Sequence, residues 1–223
     1  MERATISQAM QDYLKAIYKL QERSEQVPTS ALAELLGVAP ASVTNMCKKL
    51  AELHLVEYEP YQGVKFTPAG KKLALEIVRH HRLIELYLAE ALNVPWDRVH
   101  EEAEKLEHVI SEDLEDRMAA ALGNPLFDPH GAPIPSRAGA ISEQPSGRLV
   151  DMRVGDRLIV VEVDDDDPEM LRYLGSMGLY PGTELLLLSH APFDGPLTLC
   201  IGDTQHNLGY QAAKSILVAL QDK

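Results

Sequence analysis

The chain has 223 residues, a formal net charge of −13 and a hydrophobic content of 45%, so it is long enough for two or three small domains with their own cores. It contains no apolar run of roughly 18 residues, which argues against a transmembrane helix and against a membrane partner. The first residues are amphipathic without a signal-peptide core, and the two cysteines are isolated, so we expect a cytoplasmic protein without a thiolate metal site.

The negative charge is unevenly distributed along the chain. Residues 1–75 carry a balance of +1, whereas residues 76–223 carry −14. A strongly acidic protein is a poor candidate for nucleic-acid binding as a whole, but the first third has no such excess. A DNA-facing module is therefore still possible there.

The first third has the pattern of a winged helix-turn-helix. After an amphipathic first helix, Thr29 or Ser30 is positioned to cap a short helix that Gly37 ends, and Pro40 suits the first turn of the next helix. The following residues alternate and break at Gly63, as a β-hairpin would. The sequence thus predicts a winged-helix domain over residues 1–75, with a generic helical hairpin as the alternative.

The second helix of this motif carries short polar and basic residues near its start. Such side chains reach base edges and phosphates when a recognition helix lies in the major groove. The residues predicted to contact DNA are Ala39, Ala41, Ser42, Thr44, Asn45, Lys48 and Lys49, together with Lys65 in the wing.

The stretch "HEEAEKLEHVISEDLE" suggests a metal site on a helix. If a single helix continues to about Leu122, His100, Glu104, Glu107 and His108 occupy one arc beside the apolar stripe, since positions i, i+4, i+7 and i+8 share a face. Carboxylates and neutral imidazoles clustered beside a core need a cation to offset their desolvation and repulsion. The alternative is an ordinary solvated acidic face, which would pair with lysines.

The preceding long helix adds another candidate pair, His81 and Glu85, at i and i+4. This region offers more apolar surface than a small lone domain needs, at Leu83, Leu86, Tyr87 and residues 114–122. The excess predicts a dimer seam. A Gly- and Pro-rich segment follows at 123–147. We therefore expect a helical dimerisation and metal-binding domain over residues 76–146.

From Arg148 the pattern changes to short strands separated by turns, with one short helix at "DPEMLRYLGSMG". This predicts a small SH3-like β-barrel over residues 147–223 and gives the whole chain an α+β class. The acidic run 164–167 ends one of the strands, where it is either a solvated turn or part of a binding site.

Taken in order, these segments resemble the DtxR/MntR family of metal-dependent transcriptional regulators. The resemblance rests on the winged helix, "RHHRLIELYL", the H-x-x-x-E-x-x-E-H signature, "DPHGAPIP" and the terminal "GLYPG" segment, and it spans nearly the whole chain. The last domain is similar to the FeoA-like SH3 domains of the longer family members.

The resemblance implies two neighbouring metal sites. The primary site would use Asp12, Glu104, Glu107 and His108. The ancillary site would use His81, Glu85 and His100, completed by two residues of the last domain, near Asp166 and Glu169.

The ligand types bear on which ion is bound. Iron-type members of the family have a methionine and a cysteine where this chain has Asp12 and Glu104, and carboxylates favour a harder ion, so Mn²⁺ is predicted with Fe²⁺ as the alternative. Some manganese-type members have another acidic ligand at the position of Lys15, which argues against their two-ion arrangement here.

The resemblance also implies a mechanism. A homodimer would bind double-stranded operator DNA when divalent metal, acting as corepressor, holds its recognition helices about 34 Å apart, and it would control metal-homeostasis genes. The alternative is a metalloenzyme, a di-metal oxidase or hydrolase with an accessory winged helix. Neither the H-E-x-x-H motif nor a pair of E-x-x-H motifs is present to support an enzyme.

Overall fold

A computed structural model describes residues 6–21, 24–142 and 144–221. The chain divides into two compact units, one formed by residues 1–81, 107–110 and 135–140, the other by residues 82–106, 111–134 and 141–223. The three-part division expected from the sequence stays a prediction.

The first unit contains the winged helix. Its helices are α1 (Gln8–Gln21), α2 (Thr29–Leu36) and α3 (Pro40–Glu52), followed by the hairpin of β1 (Val56–Glu59) and β2 (Gly63–Phe66). Apolar residues recur at helical spacing in α1 and α3 and meet in one core, which includes the fully buried Leu14, Leu32 and Leu50. This packing leaves the opposite face of α3 in solvent.

The helix ends in this unit follow local chemistry, with one correction. Gly37 ends α2 in the left-handed conformation and Pro40 opens α3, both as predicted. The prediction that Thr29 or Ser30 caps α2 is wrong. Pro28 is the N-cap residue and makes no side-chain cap, because helical geometry already begins at Thr29.

The helix α4 (Pro68–Leu92) is continuous, and its residues up to His81 belong to the first unit. The prediction of one helix from His100 to Leu122 is wrong. The structure has α5 (Val99–Leu106) and α6 (Glu112–Ala121), separated by a turn, and Ser111 caps α6 by accepting a hydrogen bond from the Leu114 amide. The turn residues 107–110 belong to the first unit.

The rest of the second unit is built on a six-stranded antiparallel sheet. Its elements are β3 (Gly147–Arg148), β4 (Arg157–Val163), α7 (Pro168–Ser176), β5 (Glu184–His190), β6 (Leu197–Ile201), β7 (Thr204–Leu208), α8 (Tyr210–Lys214) and β8 (Ile216–Leu220). The strand order is β3-β8-β4-β5-β6-β7, so β3 and β7 are edges and the sheet is not closed within the described residues. The predicted closed barrel is therefore not confirmed. The expected strand at "RLVDMRV" is instead the two-residue β3 and a 3₁₀ turn.

Alternating residues of the strands form a second hydrophobic core. Trp96, from the segment between α4 and α5, packs against it. Leu83 is fully buried within the chain, so its predicted place in an exposed dimer seam is wrong. Leu114 on α6 does remain 45% exposed. In the described part of the chain, no helix is long and apolar enough to cross a membrane.

Candidate metal centres and nucleic-acid interface

In the first unit, residues from α1 and from the turn after α5 form a cluster of metal-ligand type. Asp12, Glu107 and His108 each offer one ligand atom, and these atoms lie within 4.8 Å of one another. His108 Nε2 is 3.1 Å from Asp12 Oδ1 and 3.6 Å from Glu107 Oε1. Three of the four predicted primary ligands therefore meet here, within one unit.

The histidine of this cluster is oriented by a residue that the sequence analysis missed. His108 Nδ1 donates a hydrogen bond to Gln11 Oε1 over 2.7 Å, which leaves Nε2 directed at Asp12. A metal-binding histidine commonly has its second nitrogen held in this way. The position of Gln11 next to Asp12 was the only signal available in the sequence.

Glu107 is 3% exposed and is surrounded by nitrogen atoms. Lys15 Nζ donates to its Oε1 over 2.7 Å, and His81 Nδ1 contacts its Oε2. Burial opposes ionisation of Glu107, but the hydrogen bond and charge of His81, with the charge of Lys15, outweigh it and lower the pKa of this carboxyl. His81, predicted as an ancillary ligand, thus contacts a predicted primary ligand.

In the second unit, a separate cluster surrounds His100. Its Nδ1 lies 3.0 Å from Glu85 Oε1 and 3.4 Å from Asp165 Oδ2, while its Nε2 lies 3.5 Å from Glu104 Oε1. Burial alone would lower the pKa of His100, but the hydrogen bonds and charges of Asp165 and Glu85 raise it to about 10. The imidazole is therefore protonated at neutral pH and occupies this acidic site as a cation.

The two residues predicted from the last domain lie differently from Asp165. Asp166 donates its backbone N–H to Asp164 Oδ1, and the Glu169 side chain is 89% exposed, 4.0 Å from Arg172. Asp165 itself was missed, although it lies in the acidic run noted in the sequence. Within that run, Asp167 caps α7 by accepting hydrogen bonds from the amides of Glu169 and Met170.

The four-residue arc predicted on one helix face does not exist as such. His100 and Glu104 lie on α5, but Glu107 and His108 lie beyond its end, in the turn. The sequence placed Glu104 in the primary site and His81 in the ancillary site. Each of these predicted ligand sets combines residues of the two units, so both sets stay predictions.

The predicted DNA-contacting residues lie on the outer face of the first unit. Val43, Cys47 and Leu50 point into the core, which turns the other side of α3 outward. Thr44 is half-buried, and the exposed residues of the predicted set on this helix and just before it are Ala39, Ala41, Ser42, Asn45, Lys48 and Lys49. In the wing, Lys65 pairs with Glu57 at 3.0 Å, and Tyr61 at the tip is fully exposed with a positive φ of 67°. Tyr61 was not predicted.

Both clusters consist of carboxylate oxygens and imidazole nitrogens, the donors that bind Mn²⁺ and related divalent ions. Buried Glu107 and half-buried His108 converge with Asp12 on a small volume, so the residues present fit a metal ion. Outer-face polar residues on α3 fit contact with a DNA groove.

Family models match three segments of the chain. Residues 5–64 match the N-terminal DNA-binding domain of iron-dependent repressors, residues 67–136 match the metal-binding and dimerisation domain of iron-dependent repressors, and residues 147–220 match the FeoA domain.

Known proteins are similar over most of their length. The diphtheria toxin repressor of Corynebacterium efficiens is 30% identical over 187 residues, which are 79% of this chain and 81% of that protein. The iron-dependent repressor IdeR of Mycobacterium tuberculosis is 28% identical over 92% of this chain and 94% of that protein. A solved manganese-dependent transcriptional repressor in complex with manganese is 39% identical, with a TM-score of 0.90 over 95% of this chain and 100% of that one. The solved structure of the manganese regulator SloR is 33% identical in sequence, with a TM-score of 0.78 over 95% of this chain and 98% of that one.

Proposed function

The chain belongs to the DtxR/MntR family of metal-dependent transcriptional repressors, and from this premise we propose that Mn²⁺ is the ion to which it responds, with Fe²⁺ as the alternative. Relatives of both kinds are found, since some are iron-dependent and others manganese-dependent. These relatives are repressors rather than enzymes, so the metalloenzyme alternative has no support.

The observation that carries the choice of Mn²⁺ is the donor set of the first cluster. Asp12 and Glu107 supply oxygen and His108 supplies nitrogen, and among the described residues no cysteine joins this group. The two cysteines lie elsewhere, Cys47 on the buried face of α3 and Cys200 on β6. Hard oxygen donors favour Mn²⁺ over softer ions, although ligand type acts together with metal availability in the cell.

The residues of the first unit also suggest how metal controls DNA binding. When bound, a divalent cation supplies the positive charge that lets Asp12 and Glu107 approach each other. Asp12 lies on α1, which packs against the helix-turn-helix, and Gln11 holds His108 in the orientation that the cluster needs. The turn 107–108 is thereby held on the helix that supports α3. Because metal and DNA would favour the same arrangement, each tightens the binding of the other.

A second metal position is proposed at Glu85, His100 and Asp165, all of which belong to the second unit. Asp165 replaces Asp166 and Glu169 as the preferred ligand of the last domain, because its carboxylate is 3.4 Å from His100. The pKa of His100, raised to about 10, means that a proton must leave before a metal binds its ring nitrogen.

We further propose that the protein binds operator DNA as a homodimer through the outer face of α3. Exposed apolar residues of the second unit support a seam between copies, among them Leu92, Leu114 and Leu126. In this arrangement Asn45 reads bases, and Lys48 and Lys49 contact phosphates.

The test is a selection from randomised DNA duplexes with and without Mn²⁺, followed by fluorescence anisotropy on the enriched sequence. We expect tight binding with Mn²⁺ and loss of binding after chelation by EDTA. Anaerobic Fe²⁺ and Zn²⁺ series rank the ions. Equal affinity in the presence and absence of metal would overturn the proposal, and a higher sensitivity to Fe²⁺ would assign the alternative ion.

A further inference from the structure

The residues that lead into α5 lie alongside the residues that form α7, and both segments belong to the second unit. Contacts join them at successive points, and the residue number falls on one segment as it rises on the other. The contacts are those of His100 with Asp165, of Asp97 with Arg172 and of Trp96 with Gly175. The first of these pairs belongs to the second metal position, so the other two hold α7 against the segment that carries one of its ligands.

The middle contact is an ion pair between the segment before α5 and the central turn of α7. Arg172 Nη1 donates a hydrogen bond to Asp97 Oδ2 over 2.9 Å. The Asp97 side chain is only 12% exposed, whereas the Arg172 side chain is 55% exposed. An ion pair with one largely buried partner is screened less by water and salt than a fully exposed pair. This pair therefore restrains α7 more than an ordinary surface contact does.

The third contact is aromatic and involves the last turn of α7. Trp96 packs against the core of the sheet, and its ring centroid lies 4.6 Å from that of Tyr180. A Cβ atom placed on Gly175 would lie 2.7 Å from the Tyr180 hydroxyl oxygen and 3.2 Å from Trp96 Nε1. The glycine thus lets both rings approach the helix closely. The Trp96 carbonyl oxygen also accepts a hydrogen bond from His130 Nε2 over 2.8 Å, which fixes the backbone that carries the indole ring.

At the other end of α7, Asp165 lies on a short connection whose two ends are fixed. On one side, the Asp164 amide donates a hydrogen bond to the Ser215 carbonyl oxygen over 2.9 Å. On the other side, Asp167 is the N-cap residue of α7. Because only one residue separates Asp165 from this cap, a displacement of α7 moves the Asp165 carboxylate, whose Oδ2 is 3.4 Å from His100 Nδ1.

From these contacts we propose that Trp96, Asp97 and Arg172, here called the α7 clamp, are positioning residues that hold Asp165 beside His100 for the ion at the second metal position. This inference rests on the second metal position of the proposed function and adds a reciprocal effect. An ion bound by Asp165 and His100 favours the same placement of α7 as the clamp does, so each strengthens the other. Residues that do not touch a metal ion commonly control its ligands in this way.

The main experiment titrates Mn²⁺ into the full-length chain by isothermal titration calorimetry. Asp165→Asn removes a ligand and so identifies the binding event of the second position. Asp97→Ala and Arg172→Met should each weaken that event by about fivefold, the upper end for an ion pair of this exposure, and leave the other event unchanged. Arg153→Met, at an exposed position in the turn before β4, is the matched control and should bind as the parent does.

Combined and conservative variants separate a positioning role from a general loss of structure. Asp97→Ala and Arg172→Met together should weaken the second event no more than either alone, because both remove the same contact. Arg172→Lys retains the positive charge and should bind within about twofold of the parent. Parent-like affinity in both single variants would overturn the proposal, and so would equal weakening of both binding events. If Asp165→Asn itself binds as the parent does, the second metal position is wrong and the clamp's role fails with it.

A second measurement needs no change in the clamp, because Trp96 is the only tryptophan of the chain. Saturation with Mn²⁺ should lower the acrylamide quenching constant of its fluorescence, since a more firmly held α7 protects the indole ring. Asp165→Asn should lose this protection and Arg153→Met should retain it. An unchanged quenching constant in the Mn²⁺-saturated parent would overturn the reciprocal effect. Mn²⁺-dependent DNA binding is measured on the same samples, so failure of the proposed function is recognised separately.

Discussion

The ammonium nitrogen of Lys15 lies 2.7 Å from a carboxylate oxygen of Glu107, which is buried in the first unit. The Lys15 ammonium group thus occupies space beside Glu107, where an additional metal ion would have to bind. In the metal-free protein, Lys15 and His81 together compensate the charge of Glu107.

We expect Lys15→Met to destabilise the metal-free protein by roughly 1–3 kcal/mol, because a buried carboxylate loses one partner while His81 remains. Added Mn²⁺ should restore more stability to the variant than to the parent, since the ion then supplies the missing charge. Thermal unfolding with EDTA and with Mn²⁺ measures both effects. Lys72→Met, at an exposed position on α4, is the control for loss of a positive charge, and an equal Mn²⁺ response in all three proteins would contradict the prediction.

Gln11→Ala should weaken Mn²⁺ binding by about 10- to 100-fold, the usual effect of losing the residue that orients a metal-binding histidine. The reason is the 2.7 Å hydrogen bond that Gln11 Oε1 accepts from His108. Gln11→Glu retains an acceptor at that position and should bind Mn²⁺ more tightly than Gln11→Ala. Isothermal titration calorimetry measures the affinities, with Gln8→Ala on the first turn of the same helix as control. Parent-like affinity of Gln11→Ala would show that this bond does not orient a ligand.

Metal binding should release protons from His100. Its folded pKa of about 10 is raised above the ordinary value, so the imidazolium is present and stabilising below about pH 6.5, and that stabilisation is lost as the pH rises through 10. A metal must displace this proton, hence Mn²⁺ affinity should increase with pH between 7 and 9. Calorimetry in buffers of different ionisation enthalpy counts the protons released. Asp165→Asn, which removes a charge that raises the pKa of His100, should release fewer, and an unchanged count would remove Asp165 from the site.

Asn45 and Lys48 on the outer face of α3 should affect DNA binding in different ways. Asn45→Ala should reduce discrimination between the selected sequence and its point variants by about 1–3 kcal/mol if the amide contacts a base in bidentate fashion. Lys48→Ala should weaken binding to all sequences and reduce the salt slope by about one. Anisotropy titrations at several salt concentrations separate the two effects. Retention of the full sequence preference by Asn45→Ala would exclude it as a base-reading residue.

Glu104→Cys tests the remaining predicted primary ligand. A thiolate at this position should weaken activation by Mn²⁺ relative to softer divalent ions, because soft donors favour them. The control is Glu101→Cys, since Glu101 is solvent-exposed and pairs with Lys105 at 2.9 Å. Activation of DNA binding is compared for each ion under reducing conditions. If Glu104→Cys keeps the parent's ranking of ions, its contact with His100 is not part of a metal site.

Much of the winged helix could be predicted from the sequence because local chemistry decides it. Gly37 takes a left-handed conformation that ends α2, and Pro40 opens α3 with its ring already at a helical φ. The spacing of apolar residues then decided which face of α3 packs inward and which stays in solvent. The same kind of signal, Ser111 followed by acidic residues, marks the start of α6, and for this reason the prediction of one continuous helix to Leu122 was wrong.

The candidate sites depended far more on tertiary structure. Donor types and approximate positions, such as His108 and the acidic run, could be identified from the sequence, because carboxylate and imidazole chemistry belongs to the residues themselves, whereas Asp12 was predicted only from the family resemblance. Which neighbours meet could not. Asp165 rather than Asp166 reaches His100, and Gln11 and Lys15 join the cluster of Glu107 from a helix about ninety residues away in the chain. In a turn or at a strand end, a shift of one residue redirects a side chain, and only the packing of distant elements decides that direction.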